Sequence, residues 1–179
     1  MVDTENNVLR GHLGTDLLTK HVPSISEIHT VTFPLYIDMD FKIPLRDMNK
    51  ETLTLIANIT SAQIARCFPK EMNGFRCVVC TKVLGGVRYG DNGLWKNGLH
   101  LHWPDLLVHV DTALELRECM KVGLEQVCDW SEHLGVRDPD WNDIIDEKVY
   151  RKNGRAERSG GLRMIGAPKA TKCPNKHNL

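Results

Sequence analysis

Two aspartates stand two residues apart at the end of a stretch of β-branched and aromatic residues, in Tyr36-Ile37-Asp38-Met39-Asp40. Side chains alternate between the two faces of a strand, so this spacing predicts that Asp38 and Asp40 point to the same face. At roughly 4 Å and an effective dielectric of about 20, two carboxylates repel by about 4 kcal/mol, and a cation or protons must neutralise them. Oxygen ligands favour hard divalent ions such as Mg²⁺ or Mn²⁺. Two solvated carboxylates at a strand end are the alternative, and the motif alone does not decide between them.

A second stretch begins at Lys96 and reads KNGLHLHWPD. On a strand, Lys96, Gly98 and His100 share one face, which predicts an anion site. Gly98 lets a phosphate approach the backbone closely, and the lysine and imidazole can donate to its oxygens. The His-x-His spacing also permits zinc. A hydrolase with the His-x-His-x-Asp-His motif would, however, have Asp and His where this chain has Pro104 and Asp105, so zinc is the weaker interpretation.

A third acidic residue, Asp146, shortly precedes Tyr150, and a basic, glycine-rich stretch follows them. Further along, the sequence Leu-Arg-x-x-Gly-x-x-Lys contains Arg163 and Lys169. A carboxylate ahead of an arginine and a lysine can complete a metal site and clamp the triphosphate of a bound nucleotide. Taken alone, each of these residues is equally compatible with an ordinary surface charge.

The elements that must position these residues follow from periodicity and from capping residues. A strand is predicted from Val31 to Asp40, and a helix is predicted from the N-cap Asn49 to Pro69. The later predictions are a strand Phe75–Leu84, a strand Leu94–Trp103 ended by Pro104, a long amphipathic helix Asp111–Gly135, a short helix or turn Trp141–Asp146 and a strand Leu162–Ile165. This order predicts an α+β fold in which helices cover one side of a mainly antiparallel sheet.

Length and composition restrict the class of protein further. The 179 residues suit one compact domain, and no apolar run reaches the roughly 20 residues of a membrane helix. Six scattered cysteines without a secretory signal predict a reducing, intracellular location. Net charge is zero, but from Lys148 to Lys176, here called the basic segment, nine basic residues stand against Glu157 alone. The basic segment predicts an anion-binding surface, with a solvated tail as the alternative.

Taken in order along the chain, these motifs resemble those of the archaeo-eukaryotic primase superfamily. They are a hydrophobic residue followed by Asp-x-Asp, then Lys-x-Gly-x-His-x-x-x-Pro, then Ile-Asp-x-x-Val-Tyr, then Leu-Arg-x-x-Gly-x-x-Lys. They span Leu35 to Lys169, and the nearest likeness is the primase part of the primase-helicases of large nucleocytoplasmic DNA viruses. Eukaryotic primase-polymerases are also similar. Gly98 stands where the family often has Ser, and the stretch between Tyr150 and Leu162 is longer than usual.

The resemblance implies a catalytic core with an RNA-recognition-like (RRM-like), mainly antiparallel sheet and helices packed on it. It implies that Asp38, Asp40 and Asp146 bind two divalent ions, Mg²⁺ or Mn²⁺. His100 matches the histidine that contacts the phosphates of the incoming nucleotide, and it is catalytic together with the three aspartates. The residues that assist nucleotide binding are Lys96, Arg163 and Lys169.

The implied activity is that of a DNA-template-dependent primase, a nucleotidyltransferase that joins nucleoside triphosphates on single-stranded DNA for replication by two-metal-ion catalysis. A replicative helicase domain or protein is a candidate partner, no membrane is expected, and for a viral protein the location would be the replication site in the infected cell. A primase-fold repair or translesion polymerase would carry the same residues. Alternatives of another class are a His-x-His metal-dependent hydrolase and a non-catalytic nucleic-acid-binding module. Cys173 and His177 supply at most half of a zinc site.

Overall fold

A computed structural model describes residues 26–27, 32–68, 75–81, 86–127, 129–150 and 162–163, and the chain divides into two compact units. One unit comprises Met1–Ile28 and Gly161–Leu179. Its described part is a pair of two-residue antiparallel strands, β1 (Ser26–Glu27) and β6 (Leu162–Arg163), with Ser26 opposite Arg163. The other unit, His29–Gly160, contains every other described element.

The unit His29–Gly160 is built on an antiparallel sheet in which β2 and β3 flank β5, and β4 also pairs with β5. Helices and an antiparallel sheet together confirm the predicted α+β class. The strands are β2 (Thr32–Ile43), β3 (Val78–Thr81), β4 (Val87–Tyr89) and β5 (Leu94–His109). The helices are α1 (Lys50–Cys67), α2 (Val110–Glu125), α3 (Ser131–Leu134), α4 (Trp141–Ile144) and a 3₁₀ turn at Glu147–Val149.

The pairing of β2 with β5 separates a buried face from a solvent-accessible one. On β2, Ile37 and Met39 are fully buried, whereas Asp38 and Asp40 remain partly exposed, as the alternation predicts. Trp103 on β5 is also fully buried, and its indole Nε1 donates to Ser61 Oγ of α1 at 3.2 Å, so α1 covers this face. No helix in the described part of the chain is both long and apolar enough to cross a membrane.

The prediction that Pro104 ends the strand was wrong, because β5 continues to His109. Leu35 lies opposite Trp103 while the preceding residue, Pro34, lies opposite Leu107, so the register shifts at this point. Pro104 falls in the stretch of β5 that this shift leaves without partners on β2. A proline has no N–H to donate, and it is tolerated in a strand where a bulge interrupts the ladder.

Two other strand boundaries also differ from the sequence prediction. β2 runs past Asp40 to Ile43, because Phe41 and Ile43 continue the buried side of the alternation. The strand predicted from Phe75 begins later, at Val78, since among the described residues of this stretch Val78–Thr81 pair with β5 and Phe75–Cys77 do not. Residues 82–85 lie outside the described part of the chain.

The first long helix agrees with its prediction and the second does not. Asn49 caps α1, its Oδ1 accepting from the N–H of Thr52 at 2.8 Å, so the predicted start is confirmed. The helix predicted to reach Gly135 instead ends at Glu125, and α3 forms separately. Trp130, which is 1% exposed, donates from its indole to the carbonyl of Leu124 at 3.1 Å. The chain turns back after α2 to bury this large side chain, and α2 therefore ends before the predicted residue.

Replacing Tyr150 by Phe tests the packing behind the sheet. Tyr150 is buried, and its hydroxyl donates to the backbone carbonyl of Tyr36. Removing that donor in a buried setting should lower the free energy of unfolding by about 1–2 kcal/mol, measured by urea titration. Tyr89→Phe is the control, because Tyr89 is exposed and should change stability by less than about 0.5 kcal/mol. Equal unfolding midpoints for the two variants would contradict this account.

Candidate active site

Two ion pairs link β2 and β5 on the face turned away from α1. Asp38 lies opposite His100 in the register, with His100 Nε2 3.2 Å from Asp38 Oδ1. Asp40 lies opposite Gly98, and its Oδ2 accepts from Lys96 Nζ at 2.6 Å. The repulsion expected between the neighbouring carboxylates is therefore offset by Lys96 and, when it is protonated, by His100.

The third predicted acid reaches this site through the backbone. The N–H of Asp146 donates to the carbonyl of Asp38 at 3.0 Å, and Ile145 forms an antiparallel bridge with Met39. Ile145 and Met39 are both fully buried, so alternation turns the Asp146 side chain toward the face that carries Asp38. One oxygen of Asp146, Oδ1, accepts from the N–H of Lys148 at 2.8 Å and caps the 3₁₀ turn.

A buried arginine that sequence reasoning missed holds the segment before Asp146. Arg117 on α2 is 4% exposed, and its Nε and Nη2 donate to the carbonyl of Ile145 at 3.0 and 2.7 Å. Nη2 also donates to the carbonyl of Asn142 at 3.2 Å. The available signal was a charged residue within the apolar stripe of α2, between Ala113 and Met120. Burying a guanidinium is costly without such partners, so the contact fixes this loop against α2.

Lys42 and Asp143 form a further ion pair beside the first two, and neither was predicted. Lys42 Nζ donates to Asp143 Oδ2 at 2.7 Å. This hydrogen bond and the charge of Lys42 hold the pKa of Asp143 below its usual value. Lys42 lies opposite Lys96 in the register, on the same strand face as Asp40. A prediction that extended β2 beyond Asp40 would have placed it there.

Most of these side chains line an open cleft of about 630 Å³, whereas Asp38 and His100 lie further along the same strand face and are not part of its lining. That volume falls within the range of small-molecule sites. The lining residues are Asp40, Lys42, Tyr89, Lys96, Arg117, Glu118, Lys121, Asn142, Asp143, Asp146, Glu147 and Lys148. Five of them are basic and five are acidic, so an entering polyanion would find cations already placed. Lys42, Lys96, Arg117 and Lys121 each already form an ion pair with a carboxylate, with which the polyanion would compete.

Within the described residues, no group of three or more His, Cys, Asp or Glu side chains has the arrangement of a metal site. Asp38, Asp40 and Asp146 offer the oxygen ligands that Mg²⁺ and Mn²⁺ prefer, so the donor chemistry fits these ions. In the observed arrangement Asp40 is held by Lys96 and Asp38 by His100, and a cation would have to take over both partnerships. The three aspartates stay predicted metal ligands.

The remaining predicted residues differ in how far the structure describes them. A Cβ placed on Gly98 would lie 4.0 Å from Asp40 Oδ1 with no closer atom, an ordinary van der Waals contact, so the backbone here is not crowded. Arg163 lies in β6, in the other compact unit, and only its backbone is described. Lys169 lies outside the described residues, as do Cys173 and His177. The roles of these side chains stay predictions.

Comparison with known proteins identifies one family. A family model described as the C962R protein N-terminal AEP domain, where AEP stands for archaeo-eukaryotic primase, matches residues 10–177. No curated protein and no solved structure matches the chain.

Replacing Arg117 by Leu tests whether this residue positions the third acid. The carbonyl of Ile145 would lose two charged donors in a buried setting, so the free energy of unfolding should fall by about 2–4 kcal/mol, measured by urea titration. Arg137→Leu is the matched control, because Arg137 is 74% exposed and its closest ion-pair distance, to Asp129, is 3.8 Å. Its effect should stay below about 0.5 kcal/mol. A loss of the same size in both variants would contradict the role given to Arg117.

The ion pair between Lys42 and Asp143 should make a small, pH-dependent contribution to stability. Because the pKa of Asp143 is lowered in the folded state, the stabilisation is present above the usual carboxyl value of 3.8 and is lost as the pH falls through the folded-state pKa. Asp143 is 63% exposed, so Asp143→Asn should cost less than about 1 kcal/mol near neutral pH.

Urea titrations of wild type and Asp143→Asn between neutral pH and about pH 2 measure this difference, which should shrink toward zero in acid. Asp47→Asn is the control, because Asp47 is exposed and makes no ion pair within the described residues. A difference for Asp143→Asn that grew on acidification would contradict the assigned direction.

Proposed function

Because the chain belongs to the family of C962R-type AEP domains, we propose that it is a DNA-template-dependent primase that synthesises primers on single-stranded DNA. This family implies a nucleotidyltransferase of the primase or polymerase type. The observation that most supports the proposal is the backbone hydrogen bond from Asp146 to Asp38. That contact brings the third acid to the strand face where Asp38 and Asp40 meet His100 and Lys96.

We propose that the cleft binds the triphosphate of the incoming nucleotide. Lys96 and His100 are both partly exposed and can donate to phosphate oxygens in place of the aspartates. The absence of a side chain at Gly98, where the described neighbours do not crowd the backbone, lets a phosphate lie close to the strand. Each cation that turns to the phosphate leaves a carboxylate without its partner, which favours a new positive charge at Asp38 and Asp40.

Asp38, Asp40 and Asp146 are the residues that would hold two divalent ions, Mg²⁺ or Mn²⁺. Such ions supply charge that activates the 3′-hydroxyl of the growing strand and stabilises the leaving pyrophosphate. His100 and Lys96 would stabilise negative charge on the phosphates during transfer. Arg117 acts only as a positioning residue, because its guanidinium contacts the loop before Asp146. Arg163 and Lys169 remain predicted nucleotide-binding residues on the order of the motifs alone.

Several finer features extend this proposal. The order of the motifs favours the primase part of viral primase-helicases as the nearest likeness and an RRM-like arrangement of the sheet. A helicase domain or protein is then the expected partner, and the site of DNA replication inside the cell is the expected location. The basic segment from Lys148 to Lys176 offers nine basic residues to a nucleic acid.

Primer synthesis on unprimed single-stranded DNA, with nucleoside triphosphates and Mg²⁺ or Mn²⁺, tests the proposed function. Asp38→Asn keeps the size of the side chain but removes its charge, and synthesis should fall by on the order of 100-fold or more. His100→Gln should lose about 10-fold or more, mainly through weaker use of the nucleotide. The matched control is Asp47→Asn, which removes an exposed carboxylate outside the cleft lining and should leave the rate unchanged.

A primed template in the same assay separates a primase from a primase-fold repair polymerase, because the second enzyme would extend the primer and leave the unprimed strand uncopied. Undiminished synthesis by Asp38→Asn on both templates would contradict the proposed active site. An activity that requires Zn²⁺ and is undiminished in the Asp38→Asn variant would instead favour the His-x-His hydrolase.

A further inference from the structure

An indole with two guanidinium groups lies near the hairpin that joins β4 to β5. Arg88 and Trp95 are opposite each other in the antiparallel register, and Arg88 Cζ lies 6.0 Å from the centroid of the Trp95 ring. Arg46, which follows β2, places its Cζ 5.7 Å from the same ring. We call these three residues the Arg46–Trp95–Arg88 surface. Contacts at these distances are cation–π interactions, and they limit the positions that the two guanidinium groups adopt.

Neither guanidinium is neutralised within the described residues. Arg46 and Arg88 are both exposed, and neither forms a side-chain hydrogen bond or an ion pair there. The acidic residues nearest in sequence, Asp47 and Asp91, form no ion pair with them either. By contrast, Arg76 is held by two hydrogen bonds to Asp105. Two positive charges on one ring therefore keep all their donors available for an anion.

Trp95 differs from the other three tryptophans of the chain in its exposure. Trp103, Trp130 and Trp141 are between 0% and 2% exposed and pack in the core. Trp95 is only partly buried, so part of its ring remains accessible to a ligand. An accessible aromatic ring beside two arginines is the combination that binds a single-stranded nucleic acid, since an unpaired base stacks while its phosphates accept hydrogen bonds.

The surface adjoins the cleft along the chain. Trp95 directly precedes Lys96, which lines the cleft and pairs with Asp40. Tyr89, next to Arg88 in β4, also lines the cleft, with Lys42 Nζ 5.5 Å from its ring centroid. Alternation sends Trp95 and Arg88 to one side of the hairpin and Lys96 and Tyr89 to the other. A single-stranded nucleic acid bound on the side of Trp95 and Arg88 would need to pass only the edge of the hairpin to reach the cleft.

We propose that the Arg46–Trp95–Arg88 surface binds a single-stranded nucleic acid, with the guanidinium groups donating to its phosphates and the indole stacking on a base. The proposal rests on the proposed function, because the bound strand would be the template that is led to the cleft. An acidic protein segment would match the charges but would leave the indole without a role. A duplex would match the arginines but keep its bases inside the helix.

Binding of a fluorescently labelled oligothymidylate, followed by anisotropy across a range of salt concentrations, tests the role of the arginines. Arg46→Gln and Arg88→Gln should each weaken binding, and each should reduce the slope of log K against log salt by about 0.7, the value for one phosphate contact on a single strand. Arg66→Gln is the matched control, since Arg66 is exposed but donates only to Gln63 on its own helix. Unchanged affinity and slope in both Arg46→Gln and Arg88→Gln would overturn the proposal.

Tryptophan fluorescence tests the stacking independently. Because the other three tryptophans are buried, oligothymidylate should quench a signal that comes from Trp95, and Trp95→Phe should abolish the quenching while the protein stays folded by circular dichroism. Quenching that persists in Trp95→Phe would overturn the proposal, as would equal competition by polyglutamate or by a blunt duplex of the same charge. Primer synthesis by the same variants separates the two ideas. If all of these variants synthesise primers and bind the oligonucleotide as wild type does, the proposed surface is wrong and the primase assignment stands. If wild type binds the oligonucleotide through this surface but synthesises no primer, the primase assignment is wrong and the surface stands.

Discussion

The antiparallel register of β2 against β5 determines which charged side chains meet on the face of the sheet that borders the cleft. It sets Asp38 opposite His100 and Asp40 opposite Gly98, and it leaves Lys96 one step along the same face. A shift of β2 by one residue would turn Asp38 and Asp40 into the core and would bring Ile37 and Met39 to the surface. Because Ile37, Met39, Leu99 and Leu101 are fully buried, the hydrophobic effect opposes that shift. The polar face therefore depends on the apolar face behind it.

A second requirement is that the loop carrying Asp146 closes against the outer edge of β2. The backbone bond to Asp38 and the bridge between Met39 and Ile145 supply part of this closure. Arg117 supplies the rest, because its buried guanidinium gathers the carbonyls of Asn142 and Ile145. Charge in the cleft is thus balanced in pairs. A triphosphate and divalent cations entering together would exchange partners with these pairs and would not add unbalanced charge.

Local patterns in the sequence predicted much of this arrangement. Period-two alternation predicted the shared face of Asp38 and Asp40, and an asparagine before an apolar repeat predicted the start of α1. The pattern failed where long-range contacts override local preference. Trp130 ends α2 by burying itself against Leu124, and the register shift near Pro34 carries β5 past Pro104.

The side chains that sequence reasoning missed share a physical reason. Predicting the role of Lys42 required the true end of β2. Predicting the role of Arg117 required the distant carbonyls that make its burial tolerable. The pairing of Arg46 and Arg88 on one ring depends on a hairpin and on the chain after β2, which are far apart in sequence. The motif order, in contrast, was sufficient to indicate the archaeo-eukaryotic primase superfamily, which the match to a C962R-type AEP domain supports.

The central claim is that three carboxylates from distant parts of the chain hold divalent cations where Lys96 and His100 receive a nucleotide. Electron paramagnetic resonance of Mn²⁺, titrated into the protein with and without a non-hydrolysable nucleoside triphosphate, measures this most directly. We predict that Mn²⁺ binds more tightly when the nucleotide is present. We also predict that the Asp146→Asn variant binds Mn²⁺ more weakly than wild type. An Mn²⁺ affinity that changes neither on addition of the nucleotide nor in the Asp146→Asn variant would contradict the account.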